Sequence, residues 1–182
     1  MNKNSDELTI KTFFKSLILI FLVLSVSTCE RDDICPEDVP TTPRLIIEFF
    51  DISNQESNVN VPSFRAQGVG NEAPLDAYSG SAAAGSIELP LKTNENSTSY
   101  SFIRDYEVDE DGVVSGNEDV ITINYALENV YVSRACGYKT VFRNVNIIIN
   151  GDSDLWIVLA QPINDNQSVE DETETHFKLF IQ

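Results

Sequence analysis

The sequence predicts an all-β, single-domain antiparallel β-sandwich, immunoglobulin-like or related, with no substantial helix apart from a signal peptide at the N-terminus. Two observations lead there. From Pro43 onward, short runs of β-branched and aromatic residues recur between breaks of Asn, Gly, Asp and Ser. No long segment of that region has helical periodicity. Short strands separated by turn residues are how a sandwich or partly open barrel reads.

The strands follow in order. "RLIIEFFD", residues 44–51, carries apolar residues on both faces. "SIELPL", around Ile87, is a shorter strand. "STSYSFIRDY" alternates, with Tyr100 and Phe102 on one side and Ser99, Ser101 and Ile103 on the other. "DVITINYAL" sets Ile121, Ile123 and Tyr125 against Thr122 and Asn124. "NVYVSRACGYKTVF" reads as two strands with the bend near Cys136–Gly137. "NVNIIIN", "LWIVLAQ" and "THFKLFIQ" complete the set. Two stretches read as loose. Residues 67–86 form a small, polar loop in which Ala82–Ala84 make a single helical turn. Residues 164–175 form an acidic connector before the last strand.

The first residues have another character. Lys3, Lys11 and Lys15 give a basic start, and residues 16–28 are uncharged. That run has the length of a signal-peptide core and is shorter than the roughly 20 apolar residues of a spanning helix. The expected organisation is a lipoprotein signal peptide at 1–28, an acidic tether with Pro36, Pro40 and Pro43 at 29–43, and a sandwich domain at 44–182.

"VSTC", residues 26–29, resembles a bacterial lipobox, although Thr28 stands where Gly, Ala or Ser is usual. The resemblance implies cleavage before Cys29 and a lipid on that cysteine. Acyl chains hold a protein at a membrane by about 0.8 kcal/mol per buried methylene. Three cysteines is an odd number for an oxidising compartment. With Cys29 lipidated, Cys35 and Cys136 are left to pair. The rival arrangement is a Cys29–Cys35 link with Cys136 free. The residues after Cys29, Glu30, Arg31, Asp32 and Asp33, resemble the surface-export signal of Bacteroidetes lipoproteins. The plainer reading is a solvated tether. The expected location is the outer membrane, with a surface-exposed or periplasm-facing placement left open.

"CERDDICPEDVPTTPRLIIEFFD", "VYVSRACGYKTVF" and the ending "THFKLFI" together resemble a family of uncharacterised Bacteroidetes outer-membrane lipoproteins. The resemblance runs from Cys29 to the C-terminus. It implies an envelope location and a single domain, and it implies no chemistry.

Charge narrows the partners. The chain has 12 basic and 29 acidic residues, a net charge of −17. The signal segment holds three of the lysines and two of the acids, so the rest is one unit more negative. Such a surface repels phosphate backbones, and nucleic acid is not an expected partner.

Four constellations bear on chemistry. Residues 107–118 approach an EF-hand loop, with Glu107, Asp109, Asp111 and Glu118 as oxygen donors around Gly112. Glu107 is a methylene too long for the first position, and the flanks read as strands. An acidic hairpin loop explains the same residues. The expectation is therefore no cofactor, with calcium as the weaker alternative. His176 is the only histidine, so any Ser-His-Asp or Cys-His device must use it. It reads instead as a strand residue on the more polar face. In "SRACGYK", Arg134 and Tyr138 read as an inter-strand cap, with a binding edge as the alternative. Trp156 reads as core, with a sugar platform as the alternative. The Asn96 acceptor pattern carries little weight in a bacterial envelope.

The expected function is non-enzymatic: a binding or assembly accessory at the outer membrane, held by its lipid and docked on an outer-membrane protein. The alternative is a surface module capturing glycan or peptide, calcium-assisted in one version. An aromatic cluster beside a groove would favour capture; an apolar patch or unpaired sheet edge would favour a protein partner.

Overall fold

The computed structural model describes residues 34–37, 39 and 41–182, together with Lys15. Cys29 and the Glu30–Asp33 stretch lie outside the described residues. Two compact units divide the chain. The first holds the described residues up to Glu37 together with Ser133–Cys136; the second is Asp38–Val132 with Gly137–Gln182. Within the first, Cys35 and Cys136 form a disulfide across 101 residues of sequence, with a Cα–Cα distance of 4.8 Å. The Cys136 N–H donates to Ser133 Oγ at 3.0 Å.

Among the described residues nine strands follow one another: β1 (Leu45–Asp51), β2 (Asn54–Asn58), β3 (Arg65–Gly68), β4 (Ser86–Leu89), β5 (Ser97–Val108), β6 (Val114–Ser133), β7 (Gly137–Asn150), β8 (Ile157–Pro162) and β9 (Phe177–Ile181). They form two sheets. One runs β2–β1–β9–β8, with β4 pairing the first half of β1 on the side that β2 takes further along. The other runs β3–β5–β6–β7. The expected sandwich is what the chain forms. One pairing departs from the antiparallel rule: β1 and β9 are parallel, from Ile47↔Phe177 to Asp51↔Ile181.

The alternation read from sequence sets the core. Leu45, Ile47 and Phe49 of β1, Phe177 and Leu179 of β9, Tyr100 and Phe102 of β5, and Ile121, Ile123 and Tyr125 of β6 face one another between the sheets. Phe64 packs edge-on against Phe49 at 5.4 Å and Phe102 at 5.3 Å, and Trp156 lies 6.1 Å from Phe49. Each such side chain contributes about 1.5–3 kcal/mol by leaving water. Trp156 is fully buried, as core rather than platform. The second apolar face of "RLIIEFFD" is also used. Phe50 and Phe180 pair across β1 and β9 on the outer side, 6.0 Å apart, and the Lys178 ammonium sits 4.3 Å from the Phe50 ring.

Three local readings give way. The two runs read as separate strands around Leu127–Asn129 are one strand, β6. Polar residues there continue it because they bond to β7: Arg143 Nε donates to Glu128 at 2.6 Å and Thr140 Oγ1 to Asn129 at 3.1 Å. Between β3 and β4 the chain is a largely exposed loop, as expected, but Ala82–Ala84 are not helical. The chain folds back along residues 61–66, into the start of β3, through backbone bonds from Ala66 N–H to Tyr78, Gly80 N–H to Phe64, Phe64 N–H to Ala82 and Val61 N–H to Ala84. Gly80 makes this return fit. Its φ is +97°, and a Cβ there would come within 2.2 Å of the Tyr106 ring. His176 is the third, described below.

Candidate functional site

The Glu107–Glu118 stretch is the end of the β5–β6 hairpin. Val108 pairs with Val114, so the flanks are strands. Asp109 Oδ1 accepts the N–H groups of Asp111, at 3.0 Å, and Val113, at 2.8 Å, and Gly112 takes φ +80°. The Asp109 carboxylate is thus turned onto its own turn. Glu118 sits on the outer face of the sheet and accepts from Ser101 Oγ at 2.5 Å. The structure does not bring Glu107, Asp109, Asp111 and Glu118 together. Among the described residues no group of three or more His, Cys, Asp or Glu side chains is placed to hold a metal ion.

His176 is buried, not on a polar strand face. It precedes β9 and clamps it to β1: Ile46 N–H donates to His176 Nδ1 at 3.0 Å, and His176 N–H donates to the Ile46 carbonyl at 2.9 Å. Nδ1 is an acceptor, so the proton sits on Nε2. Burial pushes the pKa below the ordinary 6.5, against the opposing pull of Asp171 and Glu174. The unfolded chain therefore takes up a proton that the fold resists, so the stability His176 supplies is complete above pH 6.5 and is lost as pH falls. Urea unfolding between pH 7 and 5 is expected to show falling stability, and His176→Gln is expected to flatten the slope. An unchanged slope in the variant would rule this out.

A small polar hollow of about 170 Å³ beside His176 is lined by Asn164, Asn166, Ser168, Glu170, Asp171 and Glu174. Ion pairs hold Glu170 of its lining and Glu172, next in the chain to Asp171. Arg143 bridges Glu128 and Glu170, and Arg44 bridges Glu88 and Glu172. These guanidinium partners hold Glu170 and Glu172 below the usual carboxylate range.

A larger cleft of about 580 Å³ opens between residues 68–75, residues 90–95 and the start of β5. Several of its polar groups already have partners. Thr98 Oγ1 and Tyr125 OH lie 2.6 Å apart, Lys92 N–H donates to Thr98 Oγ1 at 3.0 Å, and Tyr100 OH donates to the Pro90 carbonyl. Tyr100 is the one aromatic lining it, and that ring is buried. Among the described residues no aromatic platform borders this groove.

Two features lie on the outside of the second unit. On β8, the register slips between Ile157 and Leu159, and Val158 and Leu159 are both exposed, at 45% and 43%. Leu159 pairs with Phe180, which pairs with Phe50, so an apolar row crosses three strands and ends in solvent at β8. Among the described residues the sheet order ends at β8. At the far end of the β6–β7 hairpin, Tyr131 and Tyr138 are exposed at 59% and 69% and pack edge to face, 5.4 Å apart.

Asp119 was not singled out from the sequence. It is fully buried and its Oδ2 accepts two backbone N–H groups, from Trp156 at 3.0 Å and Ile157 at 2.6 Å. Burial raises its pKa; the two N–H donors and Arg104 act the other way. Its signal was legible in phase: Asp119 shares the face of Ile121, Ile123 and Tyr125, an acid in an apolar row.

A family of unknown function (DUF6452) matches residues 66–181. The chain belongs to the DUF6452 family. The DUF6452 match spans the Asp119 clamp, His176 itself, the β6–β7 hairpin with Cys136, and the β8 edge; Cys29, Cys35 and Ile46, the partner of His176, precede it. No curated protein and no solved structure shows significant similarity to the chain.

Proposed function

We propose that this DUF6452 chain is a lipid-anchored envelope protein of the Bacteroidetes outer membrane, acting as a non-enzymatic binding or assembly accessory docked on a membrane protein. Anchoring is supported by the cysteines: the Cys35–Cys136 bridge occupies two, leaving Cys29, at the lipobox-like position, outside it. The docking half rests on one observation, the β8 edge. An edge strand with two successive apolar side chains in solvent is a liability unless something covers it, and the bulge there disfavours addition of another strand while leaving the side chains presented. The cleft near Tyr100 lacks the exposed aromatics that capture of a glycan would use. His176, through which a Ser-His or Cys-His device would pass, has Nδ1 bonded to a backbone N–H.

The test is a native pull-down from mildly solubilised envelopes with a C-terminal tag, comparing the wild type with Val158→Asp/Leu159→Asp. A stoichiometric membrane protein that co-purifies with the wild type and is lost from the variant is the expected result. Recovery of the wild type alone would overturn the accessory reading.

A further inference from the structure

We infer that the β6–β7 hairpin end rests on the bilayer itself, with Tyr131 and Tyr138 seated at the lipid–water interface; this rests on the lipid anchor proposed above. The first argument is covalent reach. Cys29 is six residues from Cys35, a span of at most roughly 20 Å. The bridge adds a Cα–Cα step of 4.8 Å to Cys136. Tyr138 is two residues further along the chain. With the bridge closed, the shortest covalent path from the lipid enters the fold at this hairpin. The path through the tether to Leu45 is sixteen residues and about two and a half times as long.

The second argument is charge. In a chain with 29 acids, residues 129–151 contain none, the longest such stretch after the signal segment, and they carry Arg134, Lys139 and Arg143. Arg143 is paired with Glu128 and Glu170. Lys139 Nζ donates to the Glu170 backbone carbonyl at 2.8 Å, and its charge also favours the ionised Asp171 carboxylate. The acids that repel anionic headgroups lie elsewhere in the sequence, and this stretch contributes three cations and no acid of its own. The third is chemistry. Tyrosine has an apolar ring and a polar tip, the combination enriched at membrane interfaces, and here two exposed rings stand edge to face.

The experiment uses the full chain, exported and purified in detergent, then placed in phosphatidylethanolamine/phosphatidylglycerol vesicles with and without brominated acyl chains. The mass of the mature N-terminal peptide reads lipidation of Cys29 separately. Tyr138→Trp supplies the reporter and Tyr131→Trp a second one; the native Trp156 is fully buried and serves as the unquenched reference. The lipidated protein is expected to show about twofold quenching of either reporter by brominated lipid. Lipidated protein with unquenched reporters would overturn the interface seating and leave the anchor standing. A mature chain without lipid on Cys29 would overturn both.

Discussion

Cleaving the Cys35–Cys136 bridge, by reduction or by Cys35→Ser/Cys136→Ser, is expected to lower the free energy of unfolding by about 4 kcal/mol. The bridge closes a loop across 101 residues, and in the chain-entropy picture a cross-link of that size removes a large share of the unfolded ensemble. That is a large fraction of the 5–15 kcal/mol typical of a whole domain. The melting temperature should fall by on the order of 10 °C. Urea unfolding of oxidised and reduced protein checks this directly. A difference below about 1 kcal/mol would mean that strain in the bridged state cancels the entropic gain.

Replacing Asp119 is the second. Asp119→Ala leaves the buried N–H groups of Trp156 and Ile157 without their acceptor. A buried donor without a partner costs about 1–3 kcal/mol, so a loss of roughly 3 kcal/mol is expected. Asp119→Asn keeps an oxygen for both donors and should lose much less. The two also differ with pH. The folded pKa of Asp119 lies above its ordinary 3.8, because burial disfavours the charged form. The contribution of this group is therefore complete below pH 3.8 and is lost as pH rises through the folded value. Glu170, Asp171 and Glu172 run the other way, their contribution being lost on acidification. Subtracting the Asp119→Asn curve from the wild type isolates the first trend. Equal stability of Asp119→Ala and wild type across the range would show that the clip is dispensable.

The strands were legible because their alternation is a local property. Ile121, Ile123 and Tyr125 point inward as the period of two requires, and "RLIIEFFD" needed both faces because β1 lies inside its sheet with Phe50 on the outer side. What escaped the sequence is held by distant partners. The return of residues 78–84 along Val61–Ala66 is made of backbone bonds with no side-chain period to betray it. β6 continues through Glu128 and Asn129 only because Arg143 and Thr140 meet them. His176 is buried by a bond to Ile46, 130 residues away. The Cys35–Cys136 pairing was legible as one of two arrangements by counting. The β8 edge was not, since its exposure depends on a register slip.

The parallel pairing of β1 with β9 has a consequence for the order of events during folding. Ile47 meets Phe177, so the middle of one sheet waits for a segment 130 residues downstream. Once Cys35 and Cys136 are joined, the contour between those two residues shrinks to roughly fifty residues, because the path runs back from Ile47 to the bridge and on from Cys136. With closure probability falling as the three-halves power of length, that shortening makes the encounter about fourfold more frequent. A chain oxidised while still unfolded thus starts its search with β1 and β9 already brought into the same neighbourhood.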